Sequence, residues 1–293
     1  MVDILVRKKV LKIQERLGMR IGIPYGTKDI LADNQKSTIE VLKELYKIGL
    51  KSFVLPKELF ANISHHSEVY KVRYAELLKI KDEAKRYNIE LALRHDSLSS
   101  EPDETLRIFT TVASIMDCRG IIIQPNFYSK IMPKDQALKL AVYKINEITT
   151  SSGFKTKLGI ETTGKTNDVG SLEDVIDIVK RTHSTEAVIN WGHLHARERG
   201  WLRARTDFGY VIKKLRESIG LNSIHNAYFF FSGVNYGKDG FAGHLPYEKA
   251  DINLEHMIRE SMSAGVKGTL IFEDPNKENF VLKLMDKLAD MVR

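Results

Sequence analysis

The chain has 293 residues, 43% of them hydrophobic, which is enough for one large core and suits a single barrel of roughly 250 residues plus additions better than two small domains. Lys+Arg 45 against Asp+Glu 38 gives +7, a balance that favours a polyanionic partner such as nucleic acid or a phosphorylated small molecule, and that a Lys-rich, thermophile-like surface would also produce. The lone Cys118 rules out an internal disulfide and a cysteine-based zinc knuckle, so a reducing cytoplasm is the expected compartment, and no stretch approaches a membrane span.

Residues 1–19 alternate apolar and basic side chains at helical spacing, without the apolar run and cleavage site of a signal peptide. They are expected to form a helical extension ahead of a single barrel domain over 20–293. From there a short β-branched run, a polar tip and a longer amphipathic segment recur eight times. The strand candidates are RIGIPYG, KSFVLP, IELALRHD, RGIIIQPN, KLGIET, EAVINWGH, AYFFFSG and GTLIFED. They show little alternation, as parallel strands covered on both faces do.

Helices are predicted near 37–49, 68–87, 102–117, 133–150, 171–182, 205–218, 252–264 and 277–292. Ser37 with Glu40 and Ser171 with Asp174 read as capping boxes, and Pro102 and Pro133 sit where first-turn prolines belong. Strict β/α alternation over eight units predicts a closed (β/α)8 TIM barrel. An open doubly wound sheet would need G-x-G-x-x-G after the first strand, which IGIPYGTKD lacks. The connection from Gly233 to Asp251 is too long for a plain turn, and it leaves strand seven at the carboxyl-end face, where barrel enzymes keep their chemistry.

At that face the strand tips carry His95 and Asp96 (strand three), Gln124 (four), Glu161 (five), Asn190 and His193 (six), and Glu273 and Asp274 (eight), with His244 on the long loop. Imidazoles and carboxylates converging from separate strands suit a divalent cation such as zinc or manganese. Glu161 and Glu273 stand out because each directly ends an apolar run, and two carboxylates aimed into a barrel mouth need a cation there. Strand tips also turn polar simply on meeting water. His65 and His66 have no such positional argument and read as surface residues. After strand six, Arg197, Arg199, Arg203 and Arg205 surround Trp201, offering phosphate-reaching charge beside a stacking face. The bland alternative is a salt-bridged helix start, with Glu198 and Asp207 as partners.

The segments LRHDSL, IIIQPN, LGIETTGKTNDVGSLEDV, INWGH, FAGH and LIFED resemble the endonuclease IV group of abasic-site endonucleases, within the xylose isomerase-like barrels, along nearly the whole chain after the first helix. The resemblance implies a metal-dependent hydrolase that cleaves beside abasic sites in double-stranded DNA with a trinuclear zinc cluster. By it, His95 corresponds to a ligand of the first zinc, Glu161 to the carboxylate bridging the first and second, Glu273 to a ligand of the second, and His193 and His244 to ligands of the third. Gln124, Asn190, Phe230 and Ala242 stand where the family has further ligands, and Leu98 where it has a DNA-wedging aromatic.

The implied cluster is therefore degenerate, with fewer than three ions expected around His95, Glu161 and Glu273, zinc first and manganese second. Glu161 and Glu273 would be catalytic. Gln124, Asn190, Arg197, Arg199, Trp201, Arg203 and Lys238 would contact substrate, with no obligate protein partner. Two other expectations stand beside this one: a single-metal sugar or sugar-phosphate isomerase or epimerase of the same barrels, and a non-catalytic descendant that binds nucleic acid or phosphate.

Overall fold

A computed structural model describes residues 4–24, 37–55, 59, 63–95, 102–151 and 156–292. Eight strands run parallel around a closed barrel: β1 (Met19–Pro24), β2 (Ser52–Val54), β3 (Glu90–His95), β4 (Gly120–Ile123), β5 (Lys157–Glu161), β6 (Thr185–Asn190), β7 (Ala227–Phe231) and, after a hairpin of β8 (Gly233–Gly237) and β9 (Gly240–Leu245), β10 (Gly268–Phe272). The order β1-β10-β7-β6-β5-β4-β3-β2 closes the ring, so every β-branched run found in the sequence is a barrel strand.

The helical shell holds α1 (Ile4–Leu17), α2 (Thr38–Ile48), α3 (Glu68–Val72), α4 (Tyr74–Tyr87), α5 (Pro102–Met116), α6 (Lys134–Ser151), α7 (Leu172–Arg181), α8 (Trp191–Arg197), α9 (Arg205–Ile219), α10 (Asn222–His225), α11 (Leu254–Ser263) and α12 (Lys277–Met291). Both capping boxes form: Ser37 Oγ accepts from the Glu40 N–H and Ser171 Oγ from the Asp174 N–H, each answered by the acidic side chain. Gly49, at φ 95°, ends α2 with a left-handed turn that a side chain would strain. The helix expected over 68–87 breaks at Arg73, and α8 and α10 are short helices the periodicity did not reveal. The long connection after strand seven folds as the antiparallel β8–β9 hairpin. No helix among the described residues is long and apolar enough to cross a membrane.

Strand side chains alternate between two cores. Leu93, Ile121, Ile123, Leu158, Ile160, Ile189, Phe229 and Phe231 face the helices. Val54, Ala92, Ile122, Val188, Tyr228, Phe230 and Ile271 fill the barrel. That interior is tight: a Cβ on Gly159 would lie 2.6 Å from Val188 Cγ2, and one on Gly22 2.3 Å from the Ser52 carbonyl. Cys118 is buried and unbonded, and burial pushes its thiol pKa up, so it packs as a small apolar group.

Below the apolar layer, at the amino end, Glu90 accepts from Thr269 Oγ1 at 2.7 Å and lies 3.9 Å from both Arg20 and Arg119. Arg119 also pairs with Glu186 and donates to the Asn226 carbonyl at 2.6 Å. Gln14 of α1 ties the N-terminal helix to this end, donating to the Gly49 carbonyl at 2.8 Å and accepting from the Ile21 N–H at 2.7 Å.

Candidate functional site

The alternation that fills the barrel also decides what meets at its carboxyl end. Two residues above Ala92, Gly159, Val188 and Ile271 come Arg94, Glu161, Asn190 and Glu273, all on the inner face. Arg94 forks onto Glu161, with Nε to Oε2 at 2.7 Å and Nη2 to Oε1 at 2.6 Å, and its Nη1 pairs with Glu273. The Asn190 amide donates to both carboxylates, at 2.9 Å to Glu161 and 3.1 Å to Glu273. Beneath them Phe230 presents its ring to the guanidinium, 4.4 Å from ring centre to Cζ. Glu161 is completely buried, and the side chains of Arg94 and Glu273 are 9% and 10% exposed. Burial works against ionisation of Glu273, but the Arg94 charge, reinforced by His244 and His193, outweighs it and holds the carboxyl at about 2.

This arrangement corrects the sequence reading of strand three. His95 follows Arg94, so it takes the opposite face, and its ring packs edge-on to Phe109 of α5 at 5.3 Å. It is not brought together with Glu161 and Glu273. Asp96 and Leu98 lie outside the described residues. Arg94, which a search for nitrogen and oxygen ligands passes over, is the cation between the two carboxylates. Its signal was the strand period, which places it level with Glu161 and Glu273.

The remaining tip residues divide. Gln124 is buried just past β4. Asn190 caps α8, its Oδ1 accepting from the His193 N–H at 3.0 Å. His193, buried in α8, puts Nδ1 3.3 Å from the Thr162 carbonyl and 3.5 Å from Glu161 Oε1. Burial and the Arg94 charge push its pKa down to about 4, so it is neutral at pH 7. The exposed His244 of β9 lies over it, ring centres 6.2 Å apart, with Phe241 against both. The hairpin is anchored where Gly240, at φ 84°, packs so close that a Cβ would lie 2.1 Å from the Gly164 carbonyl. Asp274 is a turn residue, accepting from the Tyr247 and Asn276 N–H groups at 2.8 Å each.

Of the arginine segment, Arg197 is buried, while Arg199, Arg203 and Arg205 are exposed. Arg197 is 4% exposed and donates to Thr163 Oγ1 at 3.0 Å and to the carbonyls of Lys165, Thr166 and Asp168, stapling the loop after β5 rather than reaching a phosphate. Arg203 bonds the Gly200 carbonyl at 2.8 Å and Asp251 at 3.1 Å, and Arg205 pairs with Glu260. Trp201 stands edge-on to Tyr210 of α9, on the helical shell. Arg199 and Lys238 remain exposed. Sequence reasoning also missed the buried His195, whose Nε2 meets Asp251 at 2.9 Å, while Asp251 accepts from Tyr236 at 2.7 Å.

The residues do not fit the metal that the resemblance implies at the mouth. An ion shared by Glu161 and Glu273 would have to displace a guanidinium already bonded to both. A dication beside Arg94 would be repelled by it in a buried layer. Among the described residues the neighbours of the pair are the Asn190 amide and the Phe230 ring, with His193 Nδ1 3.5 Å from Glu161 Oε1 but turned also to the Thr162 carbonyl, while His95 packs on Phe109. One other group among the described residues has metal-ligating donors close together: His65, His66 and Glu104.

No family model matches the chain. It is 22% identical over 274 residues to an uncharacterised protein of Methanocaldococcus jannaschii, covering 92% of this chain and 98% of that protein. Among solved structures, a D-tagatose 3-epimerase-like protein superposes with a TM-score of 0.63 at 14% identity, over 94% of this chain and 98% of the other. IolI protein, described with a bound zinc atom, gives 0.62 at 13% identity, over 94% and 95%. These likenesses establish the fold, a closed (β/α)8 barrel.

Proposed function

We propose that the chain is an isomerase or epimerase of the xylose isomerase-like kind, moving a proton on a small sugar or sugar-derived hydroxy-carbonyl compound without a metal at the barrel mouth. The observation that carries this reading is the Arg94 guanidinium held between Glu161 and Glu273. Removing a proton from the carbon beside a carbonyl places negative charge on oxygen, and a fixed guanidinium in a buried layer is suited to take that charge. Two carboxylates flanking one cation supply the two proton-carrying positions that isomerisation or epimerisation uses.

Paired with Arg94, the Glu273 carboxylate is a weak base. A substrate oxygen that takes over an Arg94 N–H group releases its carboxylate partner, whose pKa then rises toward the working range of a general base. Asn190, donating to both, keeps their separation fixed. The likeness to an epimerase-like protein supports the same class.

Hydrolysis of abasic double-stranded DNA is the less supported reading, because Arg197 is buried against backbone carbonyls and the exposed Arg203 and Arg205 already pair with Asp251 and Glu260. The test is carbon-bound proton exchange into D2O, followed by NMR over a panel of aldoses, ketoses and their phosphates, with EDTA-treated protein. Exchange on one class of sugar that persists in EDTA and disappears in Glu161→Gln is expected. No exchange from folded protein, with metal-dependent nicking of an abasic duplex instead, would overturn the reading.

A further inference from the structure

The connection after β2 brings two adjacent imidazoles against the first turn of α5, on the carboxyl-end rim of the barrel. His65 Nε2 lies 3.9 Å from Glu104 Oε1, and His66 Nδ1 lies 2.9 Å from the same oxygen. The two rings are 4.2 Å apart, and one donor atom from each of the three residues falls within 4.8 Å of the others. We propose that His65, His66 and Glu104 form a binding site for a zinc-class divalent cation, separate from the Arg94 cluster and independent of the reaction assigned to it.

The donor set suits such an ion. Two imidazoles and a carboxylate are ligands of borderline hardness, and three protein donors leave a position open to water. A tetrahedral zinc with bonds of ~2.1 Å spaces its donors roughly 3.4 Å apart, a value the observed 2.9 and 3.9 Å bracket. The third separation, between the two imidazole donors, lies within 4.8 Å, and the side chains that must adjust are 53%, 38% and 27% exposed.

Supporting contacts are already made. The His66 N–H donates to Glu104 Oε1 at 2.6 Å and fixes the carboxylate. Ser67 Oγ lies 2.8 Å from His65 Nδ1, on the side of the ring away from Nε2. In the free ring Nδ1 also accepts from the Ser67 N–H at 3.3 Å. Ligation through Nε2 puts the proton on Nδ1, where Ser67 Oγ accepts it, the usual orienting contact behind a metal-bound histidine. A bound ion would tie the β2–α3 connection to α5.

The experiment is calorimetric titration of EDTA-stripped, dialysed protein with zinc, with Co2+ absorption as a second readout and the melting temperature measured with and without zinc. One zinc per chain and a zinc-dependent rise in Tm are expected. His65→Ala and Glu104→Gln should each weaken binding at least tenfold, Glu104→Gln serving as the variant that keeps the hydrogen bond from the His66 backbone. His244→Ala and Glu161→Gln should bind as the parent does. Absence of zinc binding, binding unchanged in the folded His65→Ala/Glu104→Gln double variant, or binding lost in His244→Ala would each overturn the proposal.

Discussion

Both ends of the barrel hold glutamates and arginines, yet the two clusters are built on opposite terms. At the amino end Glu90 shares Arg20 and Arg119 at 3.9 Å, takes a hydrogen bond from Thr269, and sits in a layer where Arg20 is 37% exposed and Glu90 and Arg119 are 18% exposed. Two arginines there stand against two glutamates, Glu90 and Glu186, with Thr269 as a further donor to Glu90. At the carboxyl end Glu161 and Glu273 compete for the single guanidinium of Arg94 in a layer at most 10% exposed. The first cluster is a plug with one cation for each carboxylate, partly open to solvent. The second buries two carboxylates against one guanidinium, and a buried ion cluster of this kind is weak evidence for stability; it stands at the end of the barrel where enzymes of this fold place their chemistry.

The largest break in that comparison is Arg94→Met. It leaves two buried carboxylates facing each other with Asn190 as their shared donor, so unfolding in urea at pH 7 should show a loss of about 3–5 kcal/mol. The pH profile should change sign as well. In the parent, the Glu273 pKa is held at about 2 against an ordinary 4.5. Its contribution, about 3 kcal/mol in order of magnitude, is therefore present above pH 4.5 and lost as pH falls from 4.5 toward 2. In Arg94→Met the carboxyls are buried without the cation and their pKa values rise above 4.5. The variant should then be relatively most stable below pH 4.5 and lose stability as pH rises through the raised values. A variant whose stability falls with acid as the parent's does would show that Arg94 is not what ionises the pair.

A smaller effect sharpens the contrast. Arg119→Met removes a cation from the plug, but Arg20, Thr269 and water remain for Glu90, and Glu186 is 20% exposed. The expected cost is about 1–2 kcal/mol by the same urea measurement, with the proton exchange proposed above unaltered. A loss as large as that of Arg94→Met would erase the distinction between the two ends.

Much of this was legible in the chain. The β-branched runs, the capping boxes at Ser37 and Ser171, and the alternation of elements gave the barrel, because short-range physics dictates each of them. The apolar runs ending at Glu161 and Glu273 likewise marked the mouth. Three features were not legible. Arg94 and His95 are neighbours, and a strand sends neighbours to opposite faces, so a one-residue choice of phase exchanged an arginine in the barrel for a histidine outside it. Arg197 looked like a phosphate contact because the sequence does not show that the loop over 163–168 offers it carbonyls to bind. His65 and His66 read as surface residues and are 53% and 38% exposed, but their contact with Glu104, 38 positions beyond His66, is made only through the fold.

The central claim, that a guanidinium holds the cation position of this barrel mouth, is tested most directly by anomalous diffraction from crystals of the parent protein soaked in zinc, with data collected on both sides of the zinc edge. The expected map has a peak among His65, His66 and Glu104 and none between Glu161 and Glu273, with Arg94 still forked onto both carboxylates. A zinc peak between Glu161 and Glu273, with Arg94 displaced from them, would contradict the account.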